Sequence, residues 1–170
     1  PAEAITGITG GEERILAAVL VRRPDQAAAV AAAAADDAAA PSTTATVALG
    51  HEAGVMMVMR HAALLRGSIE QLADGTWVTV FSGEGATEMA TRAARFALYV
   101  RERFPRAQVA VATGRRRGGS TSTTGAFDAA ARLVTAAPAG AVLIDDASAS
   151  LLAGGHEVER QAVGALLVGE

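Results

Sequence analysis

Three groups of side chains in this sequence are of types that could do chemistry. The first is Asp74, in Ala73-Asp74-Gly75, between the segment holding Ile69 and Leu72 and the run Trp77-Val78-Thr79-Val80-Phe81. Asp and Gly tolerate the backbone angles of a hairpin tip, so the stretch reads as a β-hairpin carrying a carboxylate at its turn. That carboxylate is either a turn former or a metal ligand. The second group is Gly114-Arg115-Arg116-Arg117-Gly118-Gly119-Ser120-Thr121, with a strand expected before it and a helix after it. It has the outline of a phosphate-binding loop, but Ser120 stands where a lysine would meet the terminal phosphate. Arg115, Arg116 and Arg117 beside glycine-rich amides could still attract a phosphate or other anion; the alternative is a solvated loop. The third group, His51, His61 and His156, has no ligand spacing and reads as surface or helix-end residues.

The elements that must position these groups follow from the apolar pattern. Ile15 to Val21 is short, apolar and partly β-branched, as in a buried strand, and Pro24 ends it. Residues 26–40 are alanine-rich, helix-prone but poor in apolar area. Pro41 opens a loop, and a helix is expected over 51–65, with Val55, Val58, Met59, Ala62 and Leu65 at helical spacing. The hairpin follows, then a loop at 82–85. From Thr87 to Phe104 a stripe of Met89, Ala93, Phe96, Ala97, Val100 and Phe104 predicts an amphipathic helix that Pro105 stops. A strand over 109–113, a polar segment over 114–124 and a helix over 127–136 come next. A strand over 141–144, a short helix capped by Asp145 or Asp146, and strands over 156–160 and 165–168 complete the chain. The fold class is α/β (α+β), antiparallel hairpins mixed with helical crossovers.

Composition narrows the function. Apolar residues are 51% of the chain but aromatics only 4%, so the core must be built from Ala, Val and Leu around few rings. A net charge of −3 gives no reason to expect nucleic acid as the partner. The absence of cysteine removes disulfides and thiolate metal sites. No apolar run is long enough to cross a membrane, no signal peptide is visible, and a cytoplasmic location is expected. Residues 1–13 read as a flexible lead-in and 14–170 as one domain, cut from a larger multidomain signalling protein because the chain starts at Pro1. Abundant Ala, Gly and Arg without Lys suit a bacterial genome rich in GC.

The order of elements is similar to that of the class III nucleotide cyclase homology domain, the catalytic domain of adenylate and guanylate cyclases. Ile69 to Phe81 resembles that family's hairpin, VAVATG at 109–114 its next strand, FDAAARL at 127–133 its Asn-Leu-Ala-Ala-Arg-Leu helix, and PAGAVLI at 138–144 its following strand. The resemblance implies a ferredoxin-like βαββαβ core with an extra C-terminal helix and β-hairpin. It also implies head-to-tail dimers that cyclise ATP or GTP, with two carboxylates holding two metal ions. Carried over residue by residue, one metal ligand is Asp74. The other falls at Arg22, or Arg23 if the strand shifts by one residue, with Asp25 beyond Pro24 as the nearest acid. The base-reading lysine falls at Glu70, the ribose-orienting Asn at Asp128, and the transition-state arginine survives as Arg132.

Asp74, Asp128 and Arg132 are therefore remnants, and the resemblance implies a degenerate member. The expectation is a non-catalytic regulatory domain without metal or other cofactor, pairing as a homodimer or with a neighbouring kinase, ATPase or sensor module. Two alternatives stay open. One is a subunit of a heterodimeric cyclase using ATP or GTP with Mg²⁺ or Mn²⁺. The other is a nucleotide sensor without turnover.

Overall fold

The computed structural model of the chain describes residues 13–24, 45–117 and 124–170. The lead-in at 1–12, the alanine-rich segment and residues 118–123 lie outside these. Among the described residues seven strands and four helices follow one another: β1 (Glu13–Arg22), α1 (Ala45–Leu64), β2 (Ser68–Gln71), β3 (Trp77–Gly83), α2 (Ala86–Arg103), β4 (Gln108–Arg117), α3 (Thr124–Ala136), β5 (Val142–Ile144), α4 (Asp146–Leu152), β6 (Glu157–Arg160) and β7 (Ala165–Gly169). The strands form one mixed sheet in the order β2-β3-β1-β4-β5-β7-β6. Its first half is the expected ferredoxin-like βαββαβ unit, with β1 antiparallel to both β3 and β4. β4 and β5 run parallel across the α3 connection, and the β6–β7 hairpin closes the far edge.

β1 is apolar from Ile15 to Val21 because it is central and covered on both faces. Ala17, Val19 and Val21 join Trp77, Phe81, Val109, Val111 and Ile144 beneath α1, α2 and α4. Leu16, Ala18 and Leu20 face the other way, toward α3. Helix α2 buries Met89, Ala90, Ala93, Ala94, Phe96, Ala97 and Val100, close to the stripe read from the sequence. Its small alanines let the helix lie near the sheet, while the rings supply volume: Phe81 meets Phe96 at 5.7 Å and Trp77 meets Phe104 edge-on at 5.5 Å between centroids. Asp145 is the N-cap of α4, its Oδ1 accepting from the Ser148 backbone N–H at 2.9 Å.

Several boundaries differ from the sequence-based expectation; helix α3, for one, begins at Thr124 and not at Phe127. Helix α1 begins at Ala45, six residues before His51, and its Met59 is exposed; Val58 and Ala62 make the buried contact. Strand β3 continues through Ser82 and Gly83. Most consequentially, β4 runs to Arg117, so residues 114–117 are strand where a polar loop was expected. Cross-strand pairing with Glu13 to Leu16 stabilises this extension beyond what local propensity indicates.

Burial sets a pH dependence. His61 stacks on Tyr99 with ring centroids 3.9 Å apart, and burial lowers its pKa below the ordinary 6.5. His156 is shifted the same way, again chiefly by burial. A folded-state pKa below the unfolded one means the unfolded chain takes up the proton first, so this stability is complete above about pH 6.5 and is lost as pH falls. Thermal melts should therefore show Tm declining from about pH 7.5 to about pH 5.5, and His61→Gln should flatten the decline. A Tm that is level or rises on acidification contradicts this account.

Candidate functional site

The two faces of the sheet are unequally covered. Among the described residues one helix, α3, packs over the middle of the second face through Ala126, Ala130, Leu133 and Val134, with Ala137 just beyond its end. Toward the β2 edge this leaves a groove of about 680 Å³. Its floor comes from alternate residues of three paired strands: Leu16 and Leu20 of β1, Val78 and Val80 of β3, and Ser68 and Glu70 of β2. Phe127, Asp128 and Ala131, on one side of α3, form its wall, and Arg14 lies at one end. The volume falls within the range of ordinary small-molecule sites.

The structure brings two of the sequence-derived positions together here: Glu70 and Asp128 line the same groove. Glu70 is opposite Val78 in the β2–β3 ladder, which directs it to the groove face. Arg132, one turn beyond Asp128, is exposed on α3, is not part of the lining, and makes no hydrogen bond or ion pair among the described residues. The groove thus offers apolar walls, two carboxylates and one guanidinium, and is acidic overall.

Asp74 lies at the hairpin tip. Its Oδ1 accepts from the Thr76 backbone N–H at 2.9 Å, while Leu72 N–H donates to Thr76 O and Gly75 N–H to Leu72 O. Gly75 takes φ 82°, the left-handed conformation such a turn requires. The Thr76 N–H chiefly, with the Thr76 side chain and the charge of Arg22 in support, holds the Asp74 carboxyl below its usual range. Arg22 ends β1 one residue beyond the Val21–Trp77 pair, and so stands beside the tip. Arg23 is buried, 4% exposed, with its guanidinium carbon 3.9 Å from the centre of the Trp77 ring and 5.2 Å from that of Phe104.

In either register, then, a guanidinium occupies the end of β1. Guanidinium has no lone pair to offer a cation. Among the described residues Asp74 has no second carboxylate beside it, which the two-metal site implied by the cyclase resemblance requires; Asp25 lies outside them. No cluster of three or more His, Asp or Glu able to hold a metal is present among the described residues.

The arginine run is placed differently from its phosphate-loop reading. Arg115, Arg116 and Arg117 pair with Ile15, Arg14 and Glu13 as part of β4. The rest of the phosphate-loop motif, Gly118 to Thr121, lies outside the described residues. The stacking of Arg23 on Trp77 was missed by sequence reasoning. Its only linear signal was a second arginine before Pro24, and the ring lies more than fifty residues away.

Against this geometry the comparisons are informative about fold. Neither protein-family models nor curated protein sequences give a match. Solved structures do. The adenylyl cyclase CyaB from P. aeruginosa superposes with a TM-score of 0.69 at 14% identity, over 94% of this chain and 96% of that one. The guanylate cyclase domain of RhGC from Catenaria anguillulae, in complex with GTP, gives 0.68 at 13% identity over 94% and 99%. A dimeric guanylyl cyclase domain of the RhoGC fusion protein from Blastocladiella emersonii gives 0.69 at 13% identity over 93% and 98%, and a monomeric form of that domain matches as well. The chain has the α+β fold of adenylyl and guanylyl cyclase domains along nearly its whole length. No helix among the described residues is long and apolar enough to cross a membrane.

Proposed function

We propose that this chain is a cyclase-fold domain that works by association within a signalling protein and does not by itself turn over nucleotide. One observation carries the reading: where Asp74 would need a second carboxylate to hold cations, Arg22 stands beside it and Arg23 is committed to the Trp77 and Phe104 rings. The acidic groove supports the same conclusion. Glu70 and Asp128 oppose a polyanionic ligand, and electrostatic stabilisation is commonly the largest catalytic contribution, so reversing several charges together removes most of it. The open, largely apolar face around the groove is the surface offered to a partner domain of the same fold, in a second copy or in a neighbouring module. One structural neighbour is described as a dimer and another as a GTP complex, so both association and nucleotide binding need testing.

The test is calorimetric titration of ATP and of GTP, each with Mn²⁺, into the purified chain, followed by assay for cyclic product. The expected result is no cyclic product and no saturable heat. Saturable heat without product favours the nucleotide-sensor reading, for which the size of the groove is the supporting observation. Cyclic product from this chain alone overturns the proposal.

A further inference from the structure

The groove beside α3 carries two carboxylates without partners. Glu70 and Asp128 both line it, and neither makes a hydrogen bond or ion pair among the described residues. The rest of the chain has no cationic side chain to offer them. Residues 1–12, 25–44 and 118–123 contain no Lys, Arg or His, and their charged side chains, Glu3, Glu12, Asp25, Asp36 and Asp37, are all acidic. Arg14, at one end of the groove, is the single cation of the lining and is engaged in an interaction of its own. We propose that this groove binds a small organic cation, an ammonium, amidinium or guanidinium group carried on an apolar ring or chain.

Charge and surface together select that class. The proposed ligand rests on the reading that this face opposes a polyanion, and it supplies the charge the two carboxylates lack. Leu16, Leu20, Val78, Val80 and Phe127 give the groove an apolar bed, which favours a ligand with an apolar body. Beside such low-dielectric walls a carboxylate attracts a cation more strongly than it does in open water. Glu70 comes from the β2 edge and Asp128 from the α3 wall, and each can accept two N–H bonds from a planar amidinium or guanidinium. A bare metal ion fits less well, since no cluster of three or more His, Asp or Glu able to hold one is present among the described residues. The volume, about 680 Å³, suits a small molecule whose body lies along the floor.

Benzamidine is the probe. Titrated calorimetrically into the whole chain at constant ionic strength, it should give saturable heat. Benzamide, its neutral counterpart, and benzoate, an anion of similar size, should bind at least tenfold more weakly. The double variant Glu70→Gln/Asp128→Asn keeps size and alters only exposed side chains, and it should weaken benzamidine about tenfold or more. An equal change of charge in Glu157→Gln/Glu159→Gln, on exposed positions of β6 at the far edge of the sheet, should leave the affinity unchanged. Absence of saturation, equal binding of benzamide, or the same affinity in both double variants overturns the proposal. Absence of saturation together with altered sedimentation of the Glu70→Gln/Asp128→Asn chain assigns the groove to a second copy instead. Cyclic product from ATP or GTP is read separately, so failure of the non-catalytic reading is distinguished from failure of cation binding.

Discussion

Gly164→Ala lowers the melting temperature by about 6–12 °C, the expectation for a loss of about 3 kcal/mol in a chain of this size. Gly164 sits in the β6–β7 turn at φ 71°, a left-handed conformation that costs a residue with Cβ about 1–2 kcal/mol. Its Cβ would also stand 2.5 Å from the carbonyl oxygen of Ile144 and 2.9 Å from Leu133 Cδ2. Neither neighbour can easily give way. Ile144 ends β5 and pairs with Ala165, and Leu133 is buried in the α3 layer. Relief requires β7 to move off β5, so overpacking adds about 1–3 kcal/mol. Gly154 is the control: a Cβ there meets nothing within 4 Å, and its alanine variant should melt within about 2 °C of the parent. A Gly164→Ala melt indistinguishable from that of Gly154→Ala would refute the steric argument.

The second large effect is a coupling between Gly67 and Phe81. Gly67 follows the left-handed Arg66, φ 59°, that terminates α1, and a Cβ on it would lie 2.5 Å from Phe81 Cε1 and 2.9 Å from Cζ. The ring is fully buried with Phe96 packed against it, so it cannot swing clear. Gly67→Ala should cost about 1–3 kcal/mol by overpacking, and Phe81→Ala about 3–5 kcal/mol by leaving a cavity. Together they should cost less than the sum by about 1–3 kcal/mol, because the added methyl enters the space the ring vacates. Denaturant unfolding of the four members of the cycle measures this directly. Strict additivity would show that Gly67 is required for some reason other than the ring.

These effects also explain why so alanine-rich a chain has a defined core. Alanine contributes little area per residue, so packing specificity falls on Trp77, Phe81, Phe96, Met89 and a few aliphatics. Glycines at 67 and 164 are the clearances that let those groups and the strand ends meet. Trp77 has a further role, since its ring supports Arg23 at the sheet end where the cyclase resemblance places a metal ligand.

Much of the fold was legible in the linear chain. The α2 stripe and its Pro105 stop, the buried run of β1 and the Asp74-Gly75 tip are consequences of periodicity and local backbone preference, which act within a few residues. The extension of β4 through Arg117 was not legible, because glycine and arginine have no local strand tendency; pairing with β1, about a hundred residues earlier, decides it. The same holds for the sites. Sequence alone determined that Arg22 and Arg23 end the first strand, that Glu70 and Asp128 are acids, and that the chain holds one tryptophan. Tertiary structure alone decided that Glu70 and Asp128 share one groove and that Arg23 stacks on Trp77. Those relations depend on which residues a sheet register and a helix end bring within a few ångströms, and spacing along the chain carries no record of that distance.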